Sequence, residues 1–370
     1  MGIYCEIYLH KPTNGAYVGA AGTIISGNIK YAVDEETVFN KITVSLKGHG
    51  TLCIEETQNT NKHNHRRRYV KNETYIDVDK LIHNDEKGAV VPIGSYDTSF
   101  SFEILSNLPP TLAYRRYVSS CHVKCKISYY VRIKFSRPGF MKFAKRFKKE
   151  IIITSSIMPR LPLTPVIYGG QKKLTQLFTS KPSIVNIKAN ILNSVLKCGD
   201  KIELVYEITN DTDVVIKAVE TKLVEVYKFV TTSKEVKAET SVPETDSKAV
   251  SIQSGETQEM SVVIDLPSDR ESLEFSKLVT RDYFVFIIAN LPLPHRNYTL
   301  QIPVQIGSII EENTTVAASG NENEAPPSYW ECMNEYNSEK TELDETNDDD
   351  NAGTSRDHNL DNVEVASHKK

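Results

Sequence analysis

The stretch HVKCKISYYVRIKFS, residues 122–136, alternates between apolar and polar side chains over most of its length. A β-strand turns successive side chains to opposite faces, so this period of two predicts one long strand with a single buried face. The positions predicted to face the core are Val123, Cys125, Ile127, Tyr129, Val131, Ile133 and Phe135. The chain around this stretch is therefore expected to form a sheet that covers a core on one side.

Four other stretches repeat this alternation: IYCEIYL (3–9), NKITVSLKG (40–48), KIELVYEI (201–208) and YTLQIPVQIG (298–307). Turn signals such as GHG at 48–50 and PSD at 267–269 lie between strands, and no segment shows a long helical period. We therefore predict an all-β chain of two antiparallel sandwiches, since one sandwich uses about 100–150 residues. Pro303 cannot donate to a ladder, so its strand is expected at an edge or a bulge.

The boundary between the two sandwiches is predicted from prolines. MPRLPLTPV (158–166) contains three closely spaced prolines, which suit a stiff connector better than a strand. The predicted organisation is a first sandwich over 1–157, a proline-containing linker over 158–180, a second sandwich over 181–310 and a tail over 311–370.

The tail differs in composition from the rest of the chain. Residues 311–370 contain 16 Asp and Glu against 4 Lys and Arg, a balance of −12 in a chain of formal net charge −4, so residues 1–310 carry +8. The tail also lacks periodic apolar residues. Such a segment cannot bury enough surface to offset its ordering entropy, so we predict a disordered acidic tail on a moderately basic body.

The sequence also indicates a compartment. The start MGIYCEIYLHKP has no basic segment followed by an apolar one, so we expect no signal peptide. No run approaches 18 apolar residues, so we expect no membrane span. The six cysteines are spread over the chain, and reduced thiols in the cytosol are expected.

Segments in both predicted sandwiches resemble one known family. FSFEILSNLPPTL (100–112) and ISYYVRIKFSRPGFMKFAKRFKKEI (127–151) are similar to consecutive segments of the first arrestin domain. CGDKIELVYEITNDT (198–212) is similar to the opening of the second arrestin domain, and YTLQIPVQIG (298–307) to its closing strand. The order of the four segments resembles the arrestin fold, and within it the alpha-arrestins, or arrestin-domain-containing proteins. The resemblance implies an N-like and a C-like arrestin sandwich.

Pro326, Pro327, Ser328 and Tyr329 in the predicted tail form a Pro-Pro-x-Tyr motif. Two prolines fix φ near the polyproline II value, and WW domains bind such segments on an aromatic-lined groove. Chance would place this motif in the tail of a chain of this composition with a probability of about 0.5%. In the alpha-arrestins, motifs of this kind recruit HECT-type ubiquitin ligases through their WW domains, and the resemblance implies the same partner here.

A basic stretch follows the long strand. It consists of Lys142, Lys145, Arg146, Lys148 and Lys149. These side chains are candidates for contact with anionic lipid headgroups or with acidic cargo, and the alternative is a solvated strand face. Arg66, Arg67 and Arg68 are predicted to lie in a polar loop. No nucleic-acid-binding module accompanies this charge, so no nucleic-acid partner is expected.

Candidate metal ligands have simpler explanations. His63 and His65 lie close together without further candidate ligands, and Cys121 and Cys125 fall on the core face of the long strand. We therefore predict no metal site. The sequence contains no nucleophile elbow, phosphate-binding glycine loop or zinc-protease helix. We therefore expect no enzyme activity and no cofactor.

Three functions remain open at this point. The first is a cytosolic adaptor, peripheral to the plasma membrane and endosomes, that binds cytoplasmic segments of membrane receptors or transporters and recruits a ubiquitin ligase. The second is a signalling arrestin that desensitises phosphorylated receptors without a ligase. The third is a binding scaffold, for example for a redox protein through a surface cysteine.

Overall fold

The alternating stretch forms one long strand, Cys121–Ser136, and all of its predicted core side chains are buried. The computed structural model describes residues 2–10, 15–60, 63–139, 144–174, 183–245, 247–249 and 251–310. The predicted core positions of the stretches at 3–9, 40–48 and 201–208 are also buried or half-buried. Periodicity of two therefore located strands correctly in both halves of the chain.

The strands of the first half are, in chain order, β1 (Ile3–Leu9), β2 (Tyr17–Val18), β3 (Ile24–Val33), β4 (Thr37–Thr60), β5 (His63–Val91), β6 (Gly94–Glu103), β7 (Leu112–Val118), β8 (Cys121–Ser136), β9 (Lys145–Ile151), β10 (Ile153–Thr154) and β11 (Ser156–Ile157). One sheet has the order β1-β3-β6. The other has the order β5-β4-β8-β7, and β9 also pairs with β8 beyond the end of β7. These two sheets pack their apolar faces together as the first sandwich.

The strands of the second half are β12 (Val166–Lys173), β13 (Ile184–Ile191), β14 (Val195–Leu196), β15 (Lys201–Asp211), β16 (Ala218–Val230), β17 (Glu235–Ser241), β18 (Ser247–Ala249), β19 (Thr257–Asp265), β20 (Val279–Asn290), β21 (Tyr298–Ile306) and β22 (Ser308–Ile309). One sheet has the order β12-β13-β15-β19. The other has the order β14-β21-β20-β16-β17, with β18 also on β16. A second apolar core lies between them. The chain is therefore all-β with two sandwiches, as predicted.

Helical structure is confined, within the described residues, to one 3-10 turn at Pro243–Thr245. Across that same part of the chain, no helix has the length and apolar character needed to cross a membrane.

Pro303 lies where one side of β21 is unpaired, although β14 rather than β21 is the edge strand of this sheet. It pairs with Phe284 of β20 on one side of β21. On the other side of β21, β14 pairs only with Gln305 and Ile306. No ladder hydrogen bond is therefore lost on the side where the ring removes the donor.

The GHG stretch at 48–50 is not a turn but lies inside β4, so this prediction was wrong. A register shift against β5 falls between Gly48 and His49. A Cβ atom at Gly48 would lie 2.4 Å from the ring of Tyr129, which is 1% exposed. The glycine is needed because a buried ring covers the strand at this point. The PSD stretch at 267–269, by contrast, lies at a turn.

The linker prediction needs a partial correction. Residues 158–165 contain no strand, in agreement with the prolines, but residues 166–173 form β12. This strand pairs with β13 from Val166 opposite Ile191 to Lys173 opposite Ile184. It was missed because it is an edge strand with two central glycines, Gly169 and Gly170, and no apolar alternation. Residues 175–180 of the predicted linker lie outside the described residues.

The first core is not built from the first half alone. It also contains side chains from β16, β17 and the segment before and at the start of β20, namely Tyr227, Phe229, Val236, Ala238, Leu273, Leu278 and Val279. The two sandwiches thus share apolar surface and belong to one compact unit.

Candidate binding surface

The basic stretch predicted to contact lipid or cargo forms β9, apart from Lys142, which lies outside the described residues. We call Lys145, Arg146, Lys148 and Lys149 the β9 cluster. Phe147 and Ile151 turn toward the core, opposite Ile133 and Tyr129 of β8. This phase places Arg146 and Lys148 on the outer face and Lys145 and Lys149 on the other side of the strand.

Lys145 has a structural contact. Its Nζ donates to the carbonyl oxygen of Ile3 in β1 at 3.1 Å and lies 5.8 Å from the centre of the Phe147 ring. The side chain therefore links β9 to the edge strand of the opposite sheet. It is tied into the sandwich rather than presented freely to a ligand.

The outer members of the β9 cluster continue a cationic surface. The register places Arg146 opposite Lys134 and Lys148 opposite Arg132. The Nζ of Lys148 lies 5.7 Å from the centre of the Tyr130 ring and 3.8 Å from Glu150. The four residues of the β9 cluster therefore do not converge on one groove, but Arg146 and Lys148 join two cations of β8 on one solvent-facing surface.

The arginine run 66–68 is not in a loop, which corrects the sequence prediction. It lies on β5, where Arg67 pairs with Glu56 and Arg68 with Glu55 of β4. Opposite charges directly across an antiparallel pair stabilise strand pairing, so these arginines stabilise this part of the β4–β5 hairpin. Their charge is partly offset by the facing carboxylates.

The sandwiches meet at a polar seam that the sequence did not indicate. In the loop between β19 and β20, the amide of Lys277 donates to Glu73 Oε2 at 2.9 Å and its carbonyl accepts from Lys71 Nζ at 2.7 Å. Tyr75 and Ser276 join their hydroxyl groups at 2.8 Å. These contacts hold the loop against β5 of the first sandwich.

A second seam contact is aromatic. The ring of Tyr114 on β7 lies 4.8 Å from that of Tyr227 and 4.6 Å from that of Phe229, both on β16. Beside it, Lys234 Nζ donates to Glu56 Oε1 at 2.6 Å. These pairs are separated by more than 100 residues in the chain, so no local pattern could predict them.

Within the segment at 198–212, the side chain of Asn210 is fully buried and has a structural role. Its amide nitrogen donates to the carbonyl oxygens of Val214 at 2.9 Å, Ile252 at 3.2 Å and Gln253 at 2.9 Å. Its side-chain oxygen accepts from Thr212 Oγ1 at 2.6 Å. One amide therefore satisfies the backbone where two connections cross.

Three of the described thiols, those of Cys5, Cys125 and Cys198, are poorly suited to redox exchange. Burial raises the pKa of Cys125 to about 12. Burial, followed by the nearby Glu271 carboxylate, raises the pKa of Cys198 to about 12. Burial and then the charge of Glu6 raise the pKa of Cys5 to about 11. At neutral pH these groups are protonated thiols, and the thiolate is the reactive form.

The Pro-Pro-x-Tyr motif formed by Pro326, Pro327, Ser328 and Tyr329 lies outside the described residues, like the whole tail at 311–370. Its predicted accessibility and its WW-domain partner stay predictions. The described chain ends just after β22, which pairs in parallel with β11 near the connector.

Comparison with known families agrees with this architecture. A family described as "Arrestin (or S-antigen), N-terminal domain" matches residues 5–158, and one described as "Arrestin (or S-antigen), C-terminal domain" matches residues 181–311. No curated protein sequence matches the chain. Two sandwiches in this order, each matched by its own arrestin domain, define the class. The chain belongs to the arrestin family, whose domains indicate an adaptor or arrestin-type role.

Proposed function

We propose that the chain is an alpha-arrestin adaptor that links membrane-protein cargo to a WW-domain HECT-type ubiquitin ligase. The body would bind cytoplasmic segments of receptors or transporters, and the tail would bind the ligase through Pro326, Pro327 and Tyr329. The bound cargo would then be ubiquitinated and internalised or sorted. The protein would act as a non-enzymatic scaffold at the cytoplasmic side of the plasma membrane and endosomes.

One observation carries this proposal: a Pro-Pro-x-Tyr motif follows two arrestin domains in the same chain. The arrestin domains supply a body of the adaptor type, and the motif supplies a ligand for a WW groove. A single motif lacks the avidity of a paired arrangement, so its affinity for one WW domain is expected to be modest.

The outer face of β9 supports a peripheral membrane contact. Arg146 and Lys148, with Lys134 and Arg132 of β8 opposite them, form a cationic surface that would attract anionic headgroups. Lys145 is not part of this contact because it bonds to Ile3. Binding to anionic vesicles should therefore fall in Arg146→Gln/Lys148→Gln and in high salt.

The ligase link is tested by pulldown of the full chain on an immobilised WW domain from a HECT-type ligase. Wild type should be retained, and Tyr329→Ala should lose most binding because the ring fills a pocket beside the proline groove. Tyr336→Ala, which changes a tail tyrosine outside the motif, serves as the matched control. Equal retention of wild type and Tyr329→Ala would remove the ligase from the proposal.

The signalling-arrestin alternative makes a different demand. A phosphate sensor needs cations that converge on one site, whereas the β9 cluster divides between two sides of its strand. Receptor binding that requires phosphorylation and survives deletion of residues 311–370 would favour that alternative over the adaptor.

A further inference from the structure

A groove of about 450 Å³ crosses the outer face of the larger sheet of the first sandwich, where β4, β8 and β7 lie side by side. The register places Arg115 of β7 opposite Lys124 of β8. Two residues further along β8, Lys126 lies between Ala113 of β7 and Thr51 of β4. We call this the β7–β8 groove.

The groove carries a charge arrangement that costs stability. Arg115 and Lys124 are like charges directly across an antiparallel pair, which is unfavourable. Lys124 lies 3.5 Å from Glu55, which offsets part of its charge. Arg115 and Lys126 are exposed, and neither forms an ion pair within the described part of the chain. A local rule broken with only partial compensation inside the fold is typical of a ligand site, and the remaining positive charge favours an anionic ligand.

The floor of the groove is small and largely apolar. Ala113, Thr51 and Ser128 leave space between the longer side chains, and Cys53, which is 6% exposed, also lines the groove. The aliphatic parts of lysine and arginine side chains cover the sides of such a groove while the charges stay in water. The site therefore has room for an apolar side chain between cations.

We propose that the β7–β8 groove binds an extended peptide in which an apolar side chain is flanked by carboxylates. The apolar side chain lies on Ala113, and the carboxylates meet Arg115 on the same strand and Lys126 on the neighbouring strand. This inference rests on the proposed adaptor function, because it names the chemistry of the cargo segment that the body selects.

A peptide fits the groove better than a membrane surface. Tyr117, which is 78% exposed, stands on the outer face of β7 beside the groove and stacks on His122 at 4.5 Å. A flat bilayer meets this ring before it reaches the floor, whereas an extended chain passes beside it. Cations on neighbouring strands, about 4.8 Å apart, also match charges spread along a chain.

The test is fluorescence polarisation with the full chain and a labelled peptide in which one leucine lies between two pairs of glutamates. Arg115→Gln/Lys126→Gln should weaken binding roughly fivefold, since each exposed ion pair contributes modestly. Ala113→Trp, which fills the floor and keeps both charges, should weaken it as well. Lys188→Gln/Lys217→Gln removes the same charge from exposed positions of the second sandwich and should leave peptide binding unchanged.

Peptide variants and vesicles separate the other ligands. Replacing leucine by serine, or the glutamates by glutamine, should each reduce affinity. If the serine peptide binds as tightly as the leucine peptide, the groove does not bind an apolar side chain. If both double variants lose the same affinity, binding reflects general charge attraction and not this site. If phosphatidylserine vesicles bind through Arg115 and Lys126 and the peptide does not bind, the groove is a lipid site and the proposal is overturned.

The outcome is independent of the ligase link. Tyr329→Ala should bind the acidic peptide as wild type does, and Arg115→Gln/Lys126→Gln should bind the WW domain as wild type does. Failure of the ligase proposal therefore appears only in the WW pulldown, and failure of the groove appears only in the peptide titration.

Discussion

Lys234 and Glu56 join the two sandwiches through a hydrogen bond of 2.6 Å between Nζ and Oε1. The lysine precedes β17, and the glutamate lies on β4, 178 residues earlier in the chain. The hydrogen bond from Lys234 holds the pKa of Glu56 below its ordinary value of 4.5. The same contact raises the pKa of Lys234 above 10.5.

The first prediction concerns the pH dependence of this contact. Because the pKa of Glu56 is lowered in the folded state, its contribution is complete above about pH 4.5 and is lost as pH falls through the folded pKa. Glu56→Gln should therefore unfold at a lower denaturant concentration than wild type at pH 7. The difference should shrink as pH is lowered from 4.5 toward 3. A gap of constant size across that range would contradict the role of the ionised carboxylate.

A second prediction concerns the aromatic contact between the sandwiches. Tyr114→Ala removes a ring that packs on Tyr227 and Phe229, and should lower the free energy of unfolding by about 2 kcal/mol. Tyr117→Ala on the same strand removes a ring that is 78% exposed, and should cost less than about 0.5 kcal/mol. Urea unfolding of both variants measures the difference. Similar midpoints for the two would show that the Tyr114 contact contributes little.

The third prediction concerns the buried amide of Asn210. Asn210→Ala leaves three backbone carbonyls, those of Val214, Ile252 and Gln253, without this donor. We expect a loss of about 1–3 kcal/mol of stability, because the substitution removes buried hydrogen bonds although each carbonyl keeps one other donor. Asn190→Ala, at an exposed position of β13, is the control and should be nearly neutral. Thermal unfolding that does not separate the two variants would disprove the assigned role.

A fourth prediction concerns the close approach at Gly48. Gly48→Ala places a Cβ atom 2.4 Å from the Tyr129 ring, whose hydroxyl is fixed by a 2.7 Å bond to the carbonyl oxygen of Pro109. Since the ring cannot move freely, the substitution should cost about 2 kcal/mol. Gly94→Ala meets its nearest atom at 3.9 Å and should change stability by less than about 0.5 kcal/mol. Chemical denaturation compares them, and a tolerated Gly48→Ala would mean that the ring can shift.

The sequence predicted those parts of the fold that depend on local periodicity. The long strand β8 was predicted from its alternation, and the unpaired side of β21 at Pro303 from the missing donor of that residue. Strand β12 was missed because an edge strand with adjacent Gly169 and Gly170 needs no apolar face. The GHG stretch was assigned to a turn because glycine also serves turns, and only the position of Tyr129 explains it inside a strand.

The candidate binding residues also divide into those that local sequence predicts and those that depend on strand register or packing. The positive charge of the β9 cluster could be predicted from the sequence. The apolar residues Phe147 and Ile151 also indicate which face of the strand is buried, and therefore that Arg146 and Lys149 lie on opposite faces. The meeting of Arg115 with Lys124 depends on the register between two strands. The seam between Tyr114 and Tyr227 depends on how the sandwiches pack. Neither is determined by any local pattern.

The shared core has a consequence for the covalent chain. The connector at 158–165 contains Leu163, which is 60% exposed and accessible to a protease. Cleavage there would leave β11 paired with β22, and Tyr227 and Phe229 would still lie in the first core. The two fragments would therefore remain associated as a noncovalent complex, because packing rather than the peptide link holds the halves together.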